Sequence, residues 1–197
     1  MPVINVHVMA GYPPEVLARL ADILSDAVQK VVPAPSEAIT VMVNEVSPAG
    51  YRRGGVARSP APALPDPRAV VEGFLEAMAA RDLATAQSFL GDEFRMVFPG
   101  GVEMTRLEEL IDWSKPRYAT IAKRFAGWDL SQNGARTIVH CRGTLSGTWT
   151  DGSAFADIRF VDRFELEGGL IVRQDVWNDM AEAKRGSDAP KASQARA

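Results

Sequence analysis

Near the start of the chain, hydrophobic and polar positions alternate in two short runs. Ile4, Val6 and Val8 alternate with Asn5 and His7, and Ile39, Val41 and Val43 alternate with Thr40, Met42 and Asn44. A period of two is that of a half-buried strand. Between the runs, Leu17, Leu20, Ile23, Leu24, Ala27, Val28 and Val31 recur at helical spacing. Pro13-Pro14 suits a first helical turn, and Pro33 and Pro35 a stop. The pattern predicts a β-α-β unit, and a helical crossover makes its two strands parallel.

Closely spaced prolines in Ser59 to Pro67, SPAPALPDP, prevent helix formation and mark an extended connector. Beyond it, Val70, Val71, Phe74, Leu75 and Met78 space a helix. Asp82 can cap a second through Leu83, Ala86 and Leu90, and Thr105-Arg106-Leu107-Glu108 reads as a capping box opening a third. Strands are expected over 137–150, 154–166 and 170–178, separated by the hairpin turns Asp151-Gly152 and Glu167-Gly168-Gly169. The expected organisation is α+β: a domain over 1–58, a linker over 59–67, a second domain over 68–181 and a disordered tail over 182–197.

Composition narrows the partners. Twenty-two Lys and Arg against 25 Asp and Glu give a net charge of -3, too balanced for an electrostatic footprint on nucleic acid or anionic lipid. The single cysteine, Cys141, cannot form an intramolecular disulfide, and with only His7 and His140 there is little material for a metal site. No apolar run approaches a membrane span, and MPVINVHVM lacks the features of a signal peptide, so a cytoplasmic protein is expected. No phosphate loop, dinucleotide fingerprint, nucleophile elbow or HExxH is present, which favours chemistry without a cofactor.

Pro2 directly follows the initiator Met, and a small second residue permits removal of that Met, exposing a secondary amine at the head of a strand. An α-amino group has an unperturbed pKa of about 7.7–8 and can act as a general base near neutral pH. The run Pro2 to Gly11, the amphipathic helix, the second strand and Gly50-Tyr51-Arg52-Arg53-Gly54-Gly55 together resemble the 4-oxalocrotonate tautomerase family from Pro2 to Ser59. The resemblance implies Pro2 as the base that moves a proton on an enol or carbonyl acid, and Tyr51 as the aromatic wall of the pocket. Tyr12 and Thr40 stand where the best-known members carry arginines, which puts a dicarboxylate substrate in doubt. Arg52 and Arg53 are either replacement cations for an anionic substrate or a solvated loop pair. His7 reads as a polar-face strand residue.

From Arg68 to about Ala181, AVVEGFLEAMAARDLATAQSFLGDEFRMVFPGG and FVDRFELEGGLIVRQDVWND resemble the SnoaL-like branch of the nuclear transport factor 2-like superfamily. That resemblance implies a conical α+β barrel with a curved antiparallel sheet around a pocket. A ketosteroid isomerase relative would carry an acid where this chain has Phe98. Asp162 shares a strand side with Ala156, Ile158, Phe160, Phe164 and Leu166. Either it is an acid or base in a second pocket with Trp113 and Trp177, where Asp175 and Asp179 are further candidates, or it pairs with Arg142, Arg159 or Arg173.

The expected function is a cofactor-independent tautomerase using the Pro2 amine. The alternatives are a ligand-binding or scaffolding fusion, and isomerase or cyclase chemistry in the SnoaL-like pocket. The expected partner is a small carbonyl or enol substrate. A lone β-α-β unit cannot cover its own sheet, so a homo-oligomer is expected, a hexamer first and a dimer next.

Overall fold

A computed structural model describes residues 1–188 of the chain, which form two compact units, residues 1–63 and the rest. In the first unit, β1 (Val3–Met9) pairs in parallel with β2 (Thr40–Val46), with Ile4 opposite Val41 and Val6 opposite Val43. Helix α1 (Pro14–Gln29) joins them and starts on the Pro13-Pro14 step. It stops two residues short of the expected Val31, which is exposed. Ile4, Val6 and Val8 are half-buried while Val3, Asn5 and His7 are exposed, the alternation expected of a sheet covered on one face. A two-residue hairpin follows, β3 (Arg52–Arg53) with β4 (Val56–Ala57). Its turn residues Gly54 and Gly55 have φ of 61° and 78°, conformations that glycine adopts without steric cost. No residue of this unit is buried.

The second unit opens with α2 (Pro67–Ala79) and α3 (Leu83–Ser88), capped by the side chains of Asp66 and Asp82. Then come β5 (Leu90–Phe98), β6 (Val102–Met104), α4 (Leu107–Ser114), β7 (Tyr118–Asn133), β8 (Arg136–Trp149), β9 (Ala154–Glu167), β10 (Leu170–Asn178) and α5 (Met180–Asp188). The curved sheet has the order β6-β5-β10-β9-β8-β7, antiparallel except where β10 meets β5. Val71 and Phe74 of α2, Ala86 of α3 and Leu107 of α4 share one core with Met96, Val139, Leu145, Phe164 and Ile171 of the strands. Gly143 and Gly147 allow β7 to lie close: a Cβ would sit 1.9 Å from the Arg124 carbonyl oxygen at the first and 2.1 Å from that of Thr120 at the second.

Several expectations shift. Leu90 begins β5 instead of ending a helix. The helix-opening box is displaced by one residue: Glu109, not Glu108, accepts the backbone N–H groups of Thr105 and Arg106, at 3.0 and 3.2 Å. Ala156 leaves the inner face and Phe155 takes its place, because Asp157 adopts a φ of 56° and the β8–β9 register slips there. Residues 182–188, expected in the tail, continue α5, whose Met180 and Ala183 pack on the core. The remainder of the expected tail, 189–197, lies outside the described residues.

Candidate functional site

Pro2 is half-buried at the head of β1, and its carbonyl accepts the Thr40 backbone N–H at 3.1 Å. The parallel pairing that opposes Val3 to Thr40 therefore brings Pro2 and Thr40 to the same end of the sheet. Tyr12 and the segment Tyr51–Arg52–Arg53 follow the other ends of β1 and β2. Tyr12 comes after Gly11, whose φ is 128°, and is half-buried. Tyr51, Arg52 and Arg53 are exposed, and Arg52 Nη1 donates to the Gly55 carbonyl at 3.3 Å, closing the hairpin. Within one chain the proposed base and the proposed cations thus leave the sheet at opposite ends.

In the second unit Asp162 is fully buried among Ile158, Phe160, Phe164 and Leu166. Its partner is Lys123 of β7, which forms an ion pair with Oδ2, and not Arg142, Arg159 or Arg173. Those arginines pair elsewhere: Arg142 with Asp129 at 2.5 Å, Arg159 with Asp179 at 2.6 Å and Arg173 with Asp175 at 2.9 Å. Gln174 Nε2 also reaches Asp162 Oδ2, at 3.4 Å, and the Lys123 Nζ lies 4.4 Å from the centre of the Phe160 ring. Asp162 Oδ1 and Gln174 Oε1 are both buried without a hydrogen-bond partner among the described residues.

The set expected around Asp162 is divided. Val176 lies opposite Asp162, so Asp175 and Trp177 project from the other face of the sheet, where Asp175 also meets Arg163 at 3.1 Å. The cause is a bulge between Ile171 and Arg173 that reverses the side-chain parity of β10. Asp179 lies beyond the end of β10 in its pair with Arg159. Trp113 packs edge-on against Phe98 at 5.2 Å and beneath the Arg117 guanidinium at 3.8 Å, with its indole N–H unpartnered among the described residues. Cys141 lies directly across from Asp162, and burial, followed by that carboxylate's charge, pushes its thiol up to about 12.

Lys123 and Gln174 escaped the sequence reading. Lys123 sits on a strand whose alternation is broken by register shifts at Tyr118/Thr120 and Phe125/Gly127. Gln174 carried a usable signal, since it shares parity with Val176 within an expected strand.

Comparison with known sequences separates the chain at the same place. The sequence model of the tautomerase enzyme family matches residues 2–59, and that of the SnoaL-like domain matches residues 71–174. A probable tautomerase of Staphylococcus aureus (strain Mu50) is 37% identical over 59 residues, 30% of this chain and 97% of that protein. The chain joins a tautomerase-family domain to a SnoaL-like domain. A probable tautomerase from strain MW2 of the same organism matches the tautomerase domain to the same extent, 37% over 59 residues. The SnoaL-like domain resembles the crystal structure of an NTF2-like protein of unknown function from Burkholderia pseudomallei, with a TM-score of 0.51 and 22% identity over 62% of this chain and 97% of that one. At that identity the likeness speaks to fold alone. At the level of its family, the tautomerase domain is an isomerase.

Among the described residues no helix is long and apolar enough to cross a membrane.

Proposed function

We propose that the protein is a cofactor-independent, cytoplasmic tautomerase whose base is the Pro2 nitrogen, freed by removal of Met1. The amine takes a proton from the carbon α or γ to a carbonyl, or from the hydroxyl of the corresponding enol. It then returns that proton to the conjugate position, so the substrate is isomerised and the amine regenerated. Arg52 and Arg53 hold the substrate carboxylate, and Tyr51 walls the pocket against water. The observation that carries this reading is the placement of Pro2, half-buried at the head of β1 in a domain of the tautomerase family.

Because Tyr51, Arg52 and Arg53 follow the end of β2 remote from Pro2, the pocket is completed by residues of another copy. A unit without a buried residue requires such copies in any case. The reading therefore includes a homo-oligomer, a hexamer or else a dimer. Mass spectrometry of purified, active enzyme tests it: the mature chain should begin at Pro2 and ketonise phenylenolpyruvate. Full activity in a chain retaining Met1, in which the Pro2 nitrogen is a non-basic tertiary amide, would sink the mechanism.

A second reading places ligand binding or proton transfer inside the SnoaL-like domain. It is favoured by one observation, the two unpartnered buried acceptors of Asp162 and Gln174. Loss of activity in Asp162→Asn, with Pro2→Ala fully active, would transfer the chemistry there.

A further inference from the structure

The tip of the β7–β8 hairpin carries chemistry that neither domain's proposed reaction uses. Asn133 ends β7, Arg136 opens β8 directly across from it, and Gly134 and Ala135 alone make the turn. Gly134 has a φ of 60° while Ala135 has no positive φ, the arrangement of a two-residue II′ turn. In such a turn the ladder bonds run between Asn133 and Arg136, so the Gly134 N–H lies outside them. Gln132 braces the turn: its Nε2 donates to the Gly134 carbonyl at 3.0 Å and its Oε1 accepts the Thr137 hydroxyl at 3.1 Å. Residues 129–136 are all exposed, so no core contact keeps this end of the hairpin from opening.

These features set a nucleophile beside an electrophile. The carboxamide carbon of Asn133 is followed in the chain by a backbone nitrogen whose own residue has no Cβ to crowd the approach. Of the four asparagines in the sequence, Asn133 is the one that precedes a glycine. Asn44 Nδ2 donates to Asn5 Oδ1 at 2.5 Å, and Glu45 and Val6 follow these two residues. Asn178 precedes Asp179, and its Oδ1 accepts the Met180 N–H at 3.2 Å. The Asp151-Gly152 turn has the same spacing, but hydrogen bonds from Ser153 and Lys184 push the Asp151 carboxyl down to about 2, and an ionised carboxylate is a poor electrophile.

We propose that Asn133 is a site of spontaneous covalent modification, in which the Gly134 nitrogen attacks the Asn133 side chain within the folded protein. The Gly134 amide gives its proton to hydroxide, and its nitrogen bonds to Asn133 Cγ. The side-chain nitrogen takes a proton from water and leaves as ammonia, so that a five-membered imide ring remains. Water then adds to one of the two ring carbonyls and breaks that carbon's bond to nitrogen. Opening at the side-chain carbonyl leaves aspartate, and opening at the main-chain carbonyl leaves isoaspartate, whose backbone is one carbon longer. Aspartate fits the fold, because position 133 faces Arg136, whose Nη1 and Nε bind Glu165 and Glu167 and whose Nη2 is left for a new carboxylate. Isoaspartate does not, because the added carbon breaks the two-residue turn that holds position 133 opposite Arg136. Either product makes the SnoaL-like domain one charge more negative, and the second also loosens its β7 edge.

Peptide mapping by mass spectrometry of the full-length protein, incubated folded and in urea over a series of pH values, tests the site. The expected result is conversion of amide to acid in the folded protein, confined to the peptide that holds Asn133. Its rate should rise about tenfold per pH unit, because the attacking species is the amide anion of a very weak acid. Asn133→Gln would need a six-membered ring and should convert at least about tenfold more slowly. Asn133→Asp should melt with the wild type, while the isoaspartate fraction, separated by chromatography, should melt lower. An Asn133 that stays intact in the folded protein and converts only in urea overturns the proposal. Equal conversion at Asn5, Asn44 or Asn178, or a rate indifferent to pH, overturns it as well. Melting of Asn133→Asp as low as the isoaspartate fraction would remove Arg136 from the account. None of these outcomes depends on whether Pro2 is the base.

Discussion

The Pro2 carbonyl accepts the Thr40 backbone N–H across 3.1 Å, so the residue bearing the proposed base is itself the first rung of the β1–β2 ladder. Pro2→Ala keeps that rung and leaves a primary amine of similar reach. It should therefore unfold no more easily than wild type, within about 0.5 kcal/mol, while kcat falls by about a hundredfold, the low end of what a positioned general base supplies. Thermal melts and phenylenolpyruvate ketonisation of des-Met protein measure the two effects. Equal kcat in the variant would rule out the amine.

Arg53→Ala should raise KM for an anionic enol about tenfold with little change in kcat, equivalent to about 1.4 kcal/mol of charge-assisted binding. Arg52→Ala should add a stability effect, since Arg52 also donates to Gly55 and closes its hairpin. The methyl ester of the same enol, which keeps the hydroxyl proton and lacks the carboxylate charge, should be insensitive to both changes. If KM for the anion is unmoved in the two variants, the arginines are a solvated pair.

Lys123→Met strands the fully buried Asp162 carboxylate with Gln174 as its remaining hydrogen-bond donor. Removing one member of a buried pair costs about 3–5 kcal/mol, and the lower figure applies because Lys123 is partly exposed. Lys123→Met combined with Asp162→Leu should recover more than half of that loss. Urea denaturation of the single and double variants supplies the comparison. Strict additivity would mean that the two residues are not coupled.

For Cys141, a thiol pushed up to about 12 has a thiolate fraction near pH 8 of about one in ten thousand, so native protein should resist disulfide reagents and react only on unfolding. The same shift carries a stability consequence of definite sign. The unfolded thiol ionises from about 9 upward while the folded one does not, so the folded state binds more protons there and stability declines as pH rises from 9 towards 12. Cys141→Ala should flatten that alkaline limb in urea titrations between pH 8 and 11.

Much of the architecture follows from local signals. Alternation at Ile4, Val6 and Val8, and the prolines bounding α1, specify the β-α-β unit. Asp151-Gly152 and Gly168-Gly169 specify the two hairpins of the meander. The burial of Asp162 was legible in the same way, from its parity with Phe160 and Phe164. Its partner was not, because β7 is an edge strand bent at two bulges and its polar positions form no clean alternation. The bulge at Ile171/Arg173 is equally silent in sequence, and a single inserted residue carries Asp175 and Trp177 to the opposite face. Alternation read without bulges therefore located the buried acid and misplaced its neighbours.

If the proposed oligomer forms, the lack of any buried side chain in residues 1–63 also governs how the protein behaves on dilution. When the apolar surface of β1, β2 and α1 is covered only by other copies, folding of the tautomerase domain has a molecularity above one. Its melting temperature then climbs with the logarithm of protein concentration. Specific activity, ordinarily a constant of an enzyme, becomes a function of the amount in the cuvette and falls towards zero as subunits separate. In a cell, the amount of chain made per volume would set how much of this domain is folded at all.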